Sequence, residues 1–215
     1  MTNDEGRMKR ARSSFVIRHS SFRDVVAFTL IEVLVVITII LVLAGLILAT
    51  SSYVQTKGKR SRAEAEIAAI SAALENYKAD NGIYPRDAGS TDSLAPDADP
   101  GGGDPTTFVN ASKYLYVALS GDADDNPTTS TSSDTKNYFG ASLKPNMLGP
   151  SPPAANTFIR DPFGFSYGYS TIKAATPAGT NGYNPTFDLW TTCGETAKKG
   201  AETFSSYQSR WIKNW

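Results

Sequence analysis

The stretch VVAFTLIEVLVVITIILVLAGLILAT, Val25–Thr50, decides how the rest of the chain is read. From Val33 to Ala49 the only side chain with a polar atom is Thr38. With Val25–Glu32 added, the run is long enough to cross a bilayer, which takes about 20 residues. It exceeds the usual signal-peptide core of about 7–15 residues. One acid, Glu32, interrupts it near its start. A carboxylate at membrane depth costs about 2.5–3.5 kcal/mol and usually has a partner. The nearest basic residue is Arg23, nine positions back. An uncleaved anchor holding a soluble domain explains the length of the run and gives Glu32 no role.

The flanks add an asymmetry. The 215-residue chain is formally neutral, so no overall field points to nucleic acid. Before Phe28, however, six cations (Arg7, Lys9, Arg10, Arg12, Arg18 and Arg23) face three acids, a net charge of +3. A basic head before an apolar run predicts a cytoplasmic N-terminus and a translocated C-terminus. A cut between Ala27 and Phe28 would leave an ammonium four residues before Glu32, and a neighbouring chain's acid could then pair with it.

At this point AFTLIEVLVVITII resembles the N-terminal signature of type IV pilins and type II secretion pseudopilins. The resemblance implies a membrane-embedded prepilin peptidase that cuts before Phe28 and methylation of the new amine. Phe28 becomes the first mature residue and Glu32 the fifth. Two positions depart from the pattern: Ala27 stands where Gly is usual, and Ala49 stands where Pro is frequent. Without that Pro the helix keeps its ladder and is expected to run straighter. Met8 is an alternative start to Met1.

Beyond Ala49 the composition turns polar but keeps a helical rhythm. Ala63, Ile67, Ile70, Leu74 and Tyr77 form one apolar stripe, and Asn81-Gly82 is a stop signal. Thr29 to roughly Lys78 reads as one helix about 75 Å long at about 1.5 Å per residue. Gly45 and Gly58 are its expected flexible points. Asp87–Pro105 and Asp122–Lys136 read as loops, and Leu148–Asn156 as a Pro-rich connection. Phe108, Ala111, Leu115 and Ala118 predict a short second helix capped by Gly121. In DPFGFSYGYSTI, Phe163, Phe165, Tyr167 and Tyr169 alternate with small residues, which predicts a strand with an aromatic face against the helix stripe. TFDLWTT is its antiparallel partner, and YQSRWIKNW supplies a last strand or packs its tryptophans.

The expected fold is α+β, with a long N-terminal helix and a small antiparallel head. It divides into a basic leader (residues 1–27), a membrane or filament-core helix (28–49) and an extracytoplasmic head (50–215) that includes the amphipathic half of the helix. LENYKADNGIYP, RDPFGFSYGY, FDLWTTCGE and the closing WIKNW resemble, in that order, the major pseudopilin of type II secretion, with Phe163 in place of a Trp.

Several chemistries can be weighed on residues. Members of the resembling family often bind calcium after the Phe-Asp strand. Here that stretch is Cys193-Gly194-Glu195-Thr196, in which Glu195 offers the carboxylate. Calcium wants about 6–8 oxygens. Asp122, Asp124 and Asn126 have the opening spacing of an EF-hand, but Pro127 stands where Gly is needed and Ser133 where Glu is needed, so the segment reads as a solvated loop. The tract Gly101–Asp104 is too short for a repeat-type calcium site. His19, the only histidine, lies in the leader, so a processed chain lacks the usual general base. Cys193, the single cysteine, excludes an internal disulfide and reads as a small buried residue.

These readings predict a non-enzymatic subunit of a secretion pseudopilus. It is a single-pass inner-membrane precursor with a periplasmic C-terminus, later part of an extracytoplasmic filament. The implied partners are prepilin peptidase, other pilin or pseudopilin subunits, an assembly platform and membrane lipid, with no nucleic acid. The alternatives are a type IV pilus or DNA-uptake pilin, and an anchored enzyme or binding module.

Overall fold

The computed structural model describes residues 28–96 and 108–215, so the leader and the Gly101–Asp104 tract fall outside the described residues. The fold is α+β, a long N-terminal helix followed by small antiparallel sheets. Contacts divide the chain into two units, residues 1–49 and 50–215.

Helix α1, Leu30–Asn81, is 52 residues long. In its first part no Pro interrupts the ladder, and the Thr38 hydroxyl donates to Leu34 O at 2.8 Å, so the one polar side chain between Val33 and Ala49 is satisfied locally. The large apolar side chains of this part are exposed, from Val33 at 46% to Leu30 at 83%. A helix that is apolar all round suits a membrane or a bundle interior rather than one side of a domain.

Within the second unit the same helix behaves differently. Ala63, Ile67, Ile70, Ala73 and Leu74 are buried, with Tyr77 at the margin, which is the stripe predicted from spacing. Glu66 is buried on this face too, and both its oxygens are engaged. Arg62 Nε donates to Oε1 at 2.7 Å and the Tyr167 hydroxyl donates to Oε2 at 2.8 Å. The helix stops at Gly82, whose φ of 79° is left-handed and whose N–H donates to Lys78 O at 2.7 Å.

Helix α2, Val109–Ser120, lies where predicted, and Gly121 (φ 76°) caps it by donating to Val117 O at 3.1 Å. Its buried face holds Ala111, Ser112, Leu115, Tyr116 and Leu119; Leu119 takes the place expected of Ala118. Two antiparallel residue pairs join Leu148–Gly149 (β1), at the start of the stretch read as a connection, to Phe158–Ile159 (β2), just beyond its end. Strands this short carry no period to detect. The Ser112 hydroxyl donates to Ile159 O at 2.6 Å and ties α2 to β2.

The other sheet has the order β3 (Gly168–Ser170), β4 (Asp188–Thr191), β5 (Ile212–Lys213), all antiparallel. A four-residue helix, α3 (Ile172–Ala175), follows β3, and α4 (Phe204–Gln208) precedes β5. Tyr167 and Tyr169 are fully buried on the α1 stripe, as the aromatic alternation predicts. The strand is shorter than that alternation, because Asp161 folds its start into a turn. The Asp161 carboxylate accepts the N–H groups of Phe163 and Phe165 at 2.9 Å each and the Thr191 hydroxyl. The strand's opposite face is covered as well. A Cβ at Gly168 would lie 2.1 Å from the Trp190 indole, so the ring packs directly on the glycine. Trp190 heads a second cluster with Phe108, Tyr207 and Trp211, in which the C-terminal tryptophans both pack and frame a strand.

Candidate functional site

The start of α1 is the first site. Ala27 falls outside the described residues. Phe28 is 75% exposed and precedes the helix. Thr29 and Glu32 close a reciprocal box. Thr29 N and Oγ1 donate to Glu32 Oε2 at 2.9 and 2.8 Å, and Glu32 N donates to Thr29 Oγ1 at 3.3 Å. This is the capping-box arrangement, which satisfies two orphan N–H groups of a helix N-terminus. The Thr-x-x-Glu pattern of this box stands in the sequence and gives Glu32 a local partner that is not a cation. The box uses Oε2 for both of its carboxylate bonds, so the acid is positioned by the backbone it caps.

The second site is the turn after β4. Cys193 and Gly194 adopt left-handed φ values of 55° and 82°, and Glu195 N donates to Thr192 O at 3.1 Å. Glu195, the expected calcium ligand, already holds two cations. Lys199 Nζ lies 3.0 Å and Arg210 Nε 3.3 Å from its Oε1. Its carbonyl accepts the Tyr207 hydroxyl at 2.9 Å. Arg210 also forks onto Glu202, with Nη1 to Oε2 at 2.7 Å and Nη2 to Oε1 at 2.8 Å. That bidentate geometry is the strong form of a carboxylate pair, and it holds the Glu202 carboxyl down to about 2. The Arg210 side chain fills the role a bound cation would have, so these residues do not fit a calcium site as they stand. Cys193 is buried, and burial pushes its thiol up to about 11, the setting of an inert packing residue.

The third site is the 122–134 loop, where ligand oxygens of Asp122, Asp124 and Asp134 lie within 4.8 Å of one another. Asp134, twelve residues on from Asp122, replaces Asn126 in the grouping suggested by spacing. The Asn126 side chain instead accepts from Thr128 N at 3.2 Å and Thr128 Oγ1 at 2.6 Å. Each carboxylate accepts donors from the protein: Asp122 from the Tyr116 hydroxyl, Asp124 from Thr129 Oγ1 at 2.6 Å, and Asp134 from Thr131 N at 2.9 Å. Burial raises the Asp122 carboxyl, while the Thr129 hydroxyl lowers that of Asp124.

An apolar N-terminal helix joined in sequence to a small α+β head is the build of pilin-like proteins. The chain is similar to type II secretion system core protein G of Klebsiella pneumoniae, with 37% identity over 75 residues, which cover 34% of this chain and 54% of that protein. The chain thus spans about half the length of the curated relative it matches. No family model matches the sequence. No solved structure matches it either.

Proposed function

We propose that the chain is a type II secretion pseudopilin precursor that supports protein export as a filament subunit rather than as an enzyme. The observation that carries this reading is the start of α1, where an apolar helix exposed on every side begins at a single acid. The similarity to a type II secretion core protein supports it. Prepilin peptidase hydrolyses the Ala27–Phe28 bond, leaving a carboxylate on Ala27 and an ammonium on Phe28. Methylation of that amine preserves its positive charge. In the membrane the precursor lies with its N-terminus in the cytoplasm and its head in the periplasm. On assembly the apolar side chains of residues 28–49 pack against other subunits. An unpaired ammonium in such surroundings is expensive. Glu32, oriented by the Thr29 box through Oε2, meets the ammonium of a neighbouring subunit through Oε1 and fixes the axial register. The assembly platform supplies the site where subunits are added.

Intact mass of the membrane-extracted protein tests the reading, because a pseudopilin loses residues 1–27. A mature chain that begins at Met1 or Met8 returns it to a simple anchor. The turn after β4 is closed by Arg210 in place of calcium. Thermal melting is therefore expected to be the same in calcium and in chelator; a rise in Tm with calcium would show a cation displacing Arg210 or occupying the Asp122–Asp134 loop.

A further inference from the structure

Between Glu32 and Glu64 the chain has no acidic residue, yet it carries four cations at Lys57, Lys59, Arg60 and Arg62. Lys57, Lys59 and Arg62 are exposed and Arg60 is half-buried. Arg60 is spoken for: its Nη1 donates to Arg210 O at 2.8 Å. Arg62 shares Glu66, and the Lys59 ammonium lies 5.6 Å from the centre of the Phe163 ring. Just before them, Tyr53 and Val54 are 69% and 63% exposed. An exposed Tyr beside an apolar run is the usual mark of a membrane interface.

We infer that Lys57 and Lys59 form a belt that binds anionic phospholipid headgroups where the chain leaves the apolar run. The inference rests on the reading of residues 30–49 as a membrane span. Lys57 follows Ala49 by eight residues, about 12 Å of helical chain at about 1.5 Å per residue. Helical side chains lean toward the N-terminus, which here is the membrane side, and Lys and Arg stems reach several ångströms further. For Lys57, and for Lys59 two residues further on, the path left along the chain is comparable with a Debye length of about 8 Å. The distribution of the charges favours lipid over a protein partner. At about 100° per residue, positions 57 and 59 lie roughly at 0° and 200° around the axis, on nearly opposite sides. A protein partner meets one face of a helix, whereas a bilayer surface surrounds it. Cations on a translocated flank also oppose the positive-inside tendency, so the belt is not explained by orientation.

The test uses the full chain in vesicles of equimolar phosphatidylcholine and phosphatidylglycerol, with the lipids that stay bound counted by native mass spectrometry. The wild type is expected to hold phosphatidylglycerol over phosphatidylcholine by about fivefold or more, the scale of a single interfacial cation. The Lys57→Gln/Lys59→Gln variant, which leaves Arg60, the Arg62–Glu66 pair and the core untouched, is expected to fall to near parity. Lys144→Gln with Lys198→Gln is the charge control and keeps the preference. An unselective wild type, or a double variant that keeps its preference, overturns the inference. So does a double variant that keeps the lipid ratio but loses self-association, which would assign the belt to a second copy of the chain. Alkaline extraction of the same vesicles separates the two readings: a chain released by alkali fails as a membrane span, and a retained but unselective chain fails only as a headgroup binder.

Discussion

The two parts of α1 obey the same helical geometry and solve opposite problems. Residues 63–74 show one apolar stripe, and the chain's own aromatics cover it. Residues 30–48 are apolar on every side, and their large apolar side chains stand about half exposed or more. Burying a Leu, Ile or Val side chain contributes roughly 1.5–3 kcal/mol, so the second part is stabilised by the fold itself. The first part can gain that energy from lipid or from other chains. A helix that carries its cover with it is stabilised by folding; one that lacks it is left open to lipid or to other chains.

The largest expected effect strikes the covered part. Tyr167→Asp removes the hydroxyl that donates to Glu66 and places a second carboxylate beside it in the core. Breaking a buried charge network of this kind costs about 3–5 kcal/mol. Melting of the detergent-solubilised chain should drop by about 10 °C, and an unchanged Tm would remove Tyr167 from the core.

A matched pair of truncations sharpens the contrast. Leu74 is fully buried and Leu41 is 66% exposed. Leu74→Ala should cost about 2–5 kcal/mol, while Leu41→Ala should leave the melting of the head unchanged in detergent. Equal effects from the two substitutions would mean that the first part is also covered by the fold.

A smaller effect concerns the Arg210 fork. Arg210 depresses the Glu202 carboxyl from 4.5 to about 2. A depressed acid contributes stability that is fully present above its unfolded pKa and is lost as pH falls through its folded one. Glu202→Gln should therefore melt lower than wild type at neutral pH, with the difference closing between about pH 4.5 and about pH 2. A constant difference across that range would place the stabilisation elsewhere. The pair lies half-buried at the surface, where solvent still screens it, so the shift in Tm is expected to be modest.

The parts of this fold that the sequence made legible are those in which one side chain repeats a local choice. The stripe from Ala63 to Leu74 shows the helical period, Gly121 marks a stop that only a left-handed residue completes, and the alternation through Tyr167 and Tyr169 shows the pleat. What was hidden depends on partners far along the chain. The β1–β2 ladder pairs residues ten or so apart with only two on each side. The Gly168–Trp190 contact is set by strand register, which a lone glycine does not announce. Glu195 looked like a cation ligand because Arg210, fifteen residues on, carries no local sign of folding back onto it. Asp134 joins Asp122 for the same reason. Glu32 is the instructive exception: its Thr29 partner lay three residues away in a known pattern, and attention to charge alone passed over it.

That box makes a clean test of the assembly claim possible. Gln fills the last position of a capping box as Glu does, so Glu32→Gln keeps the helix start and removes the charge. The measurement is the amount of protein in sheared filaments when the variant is co-expressed with the assembly machinery, relative to total membrane-bound protein. The account predicts normal insertion and cleavage with at least a tenfold loss from filaments, the equivalent of about 1.4 kcal/mol per subunit contact. Wild-type amounts of the Gln variant in filaments would contradict it and leave Glu32 as a helix cap alone.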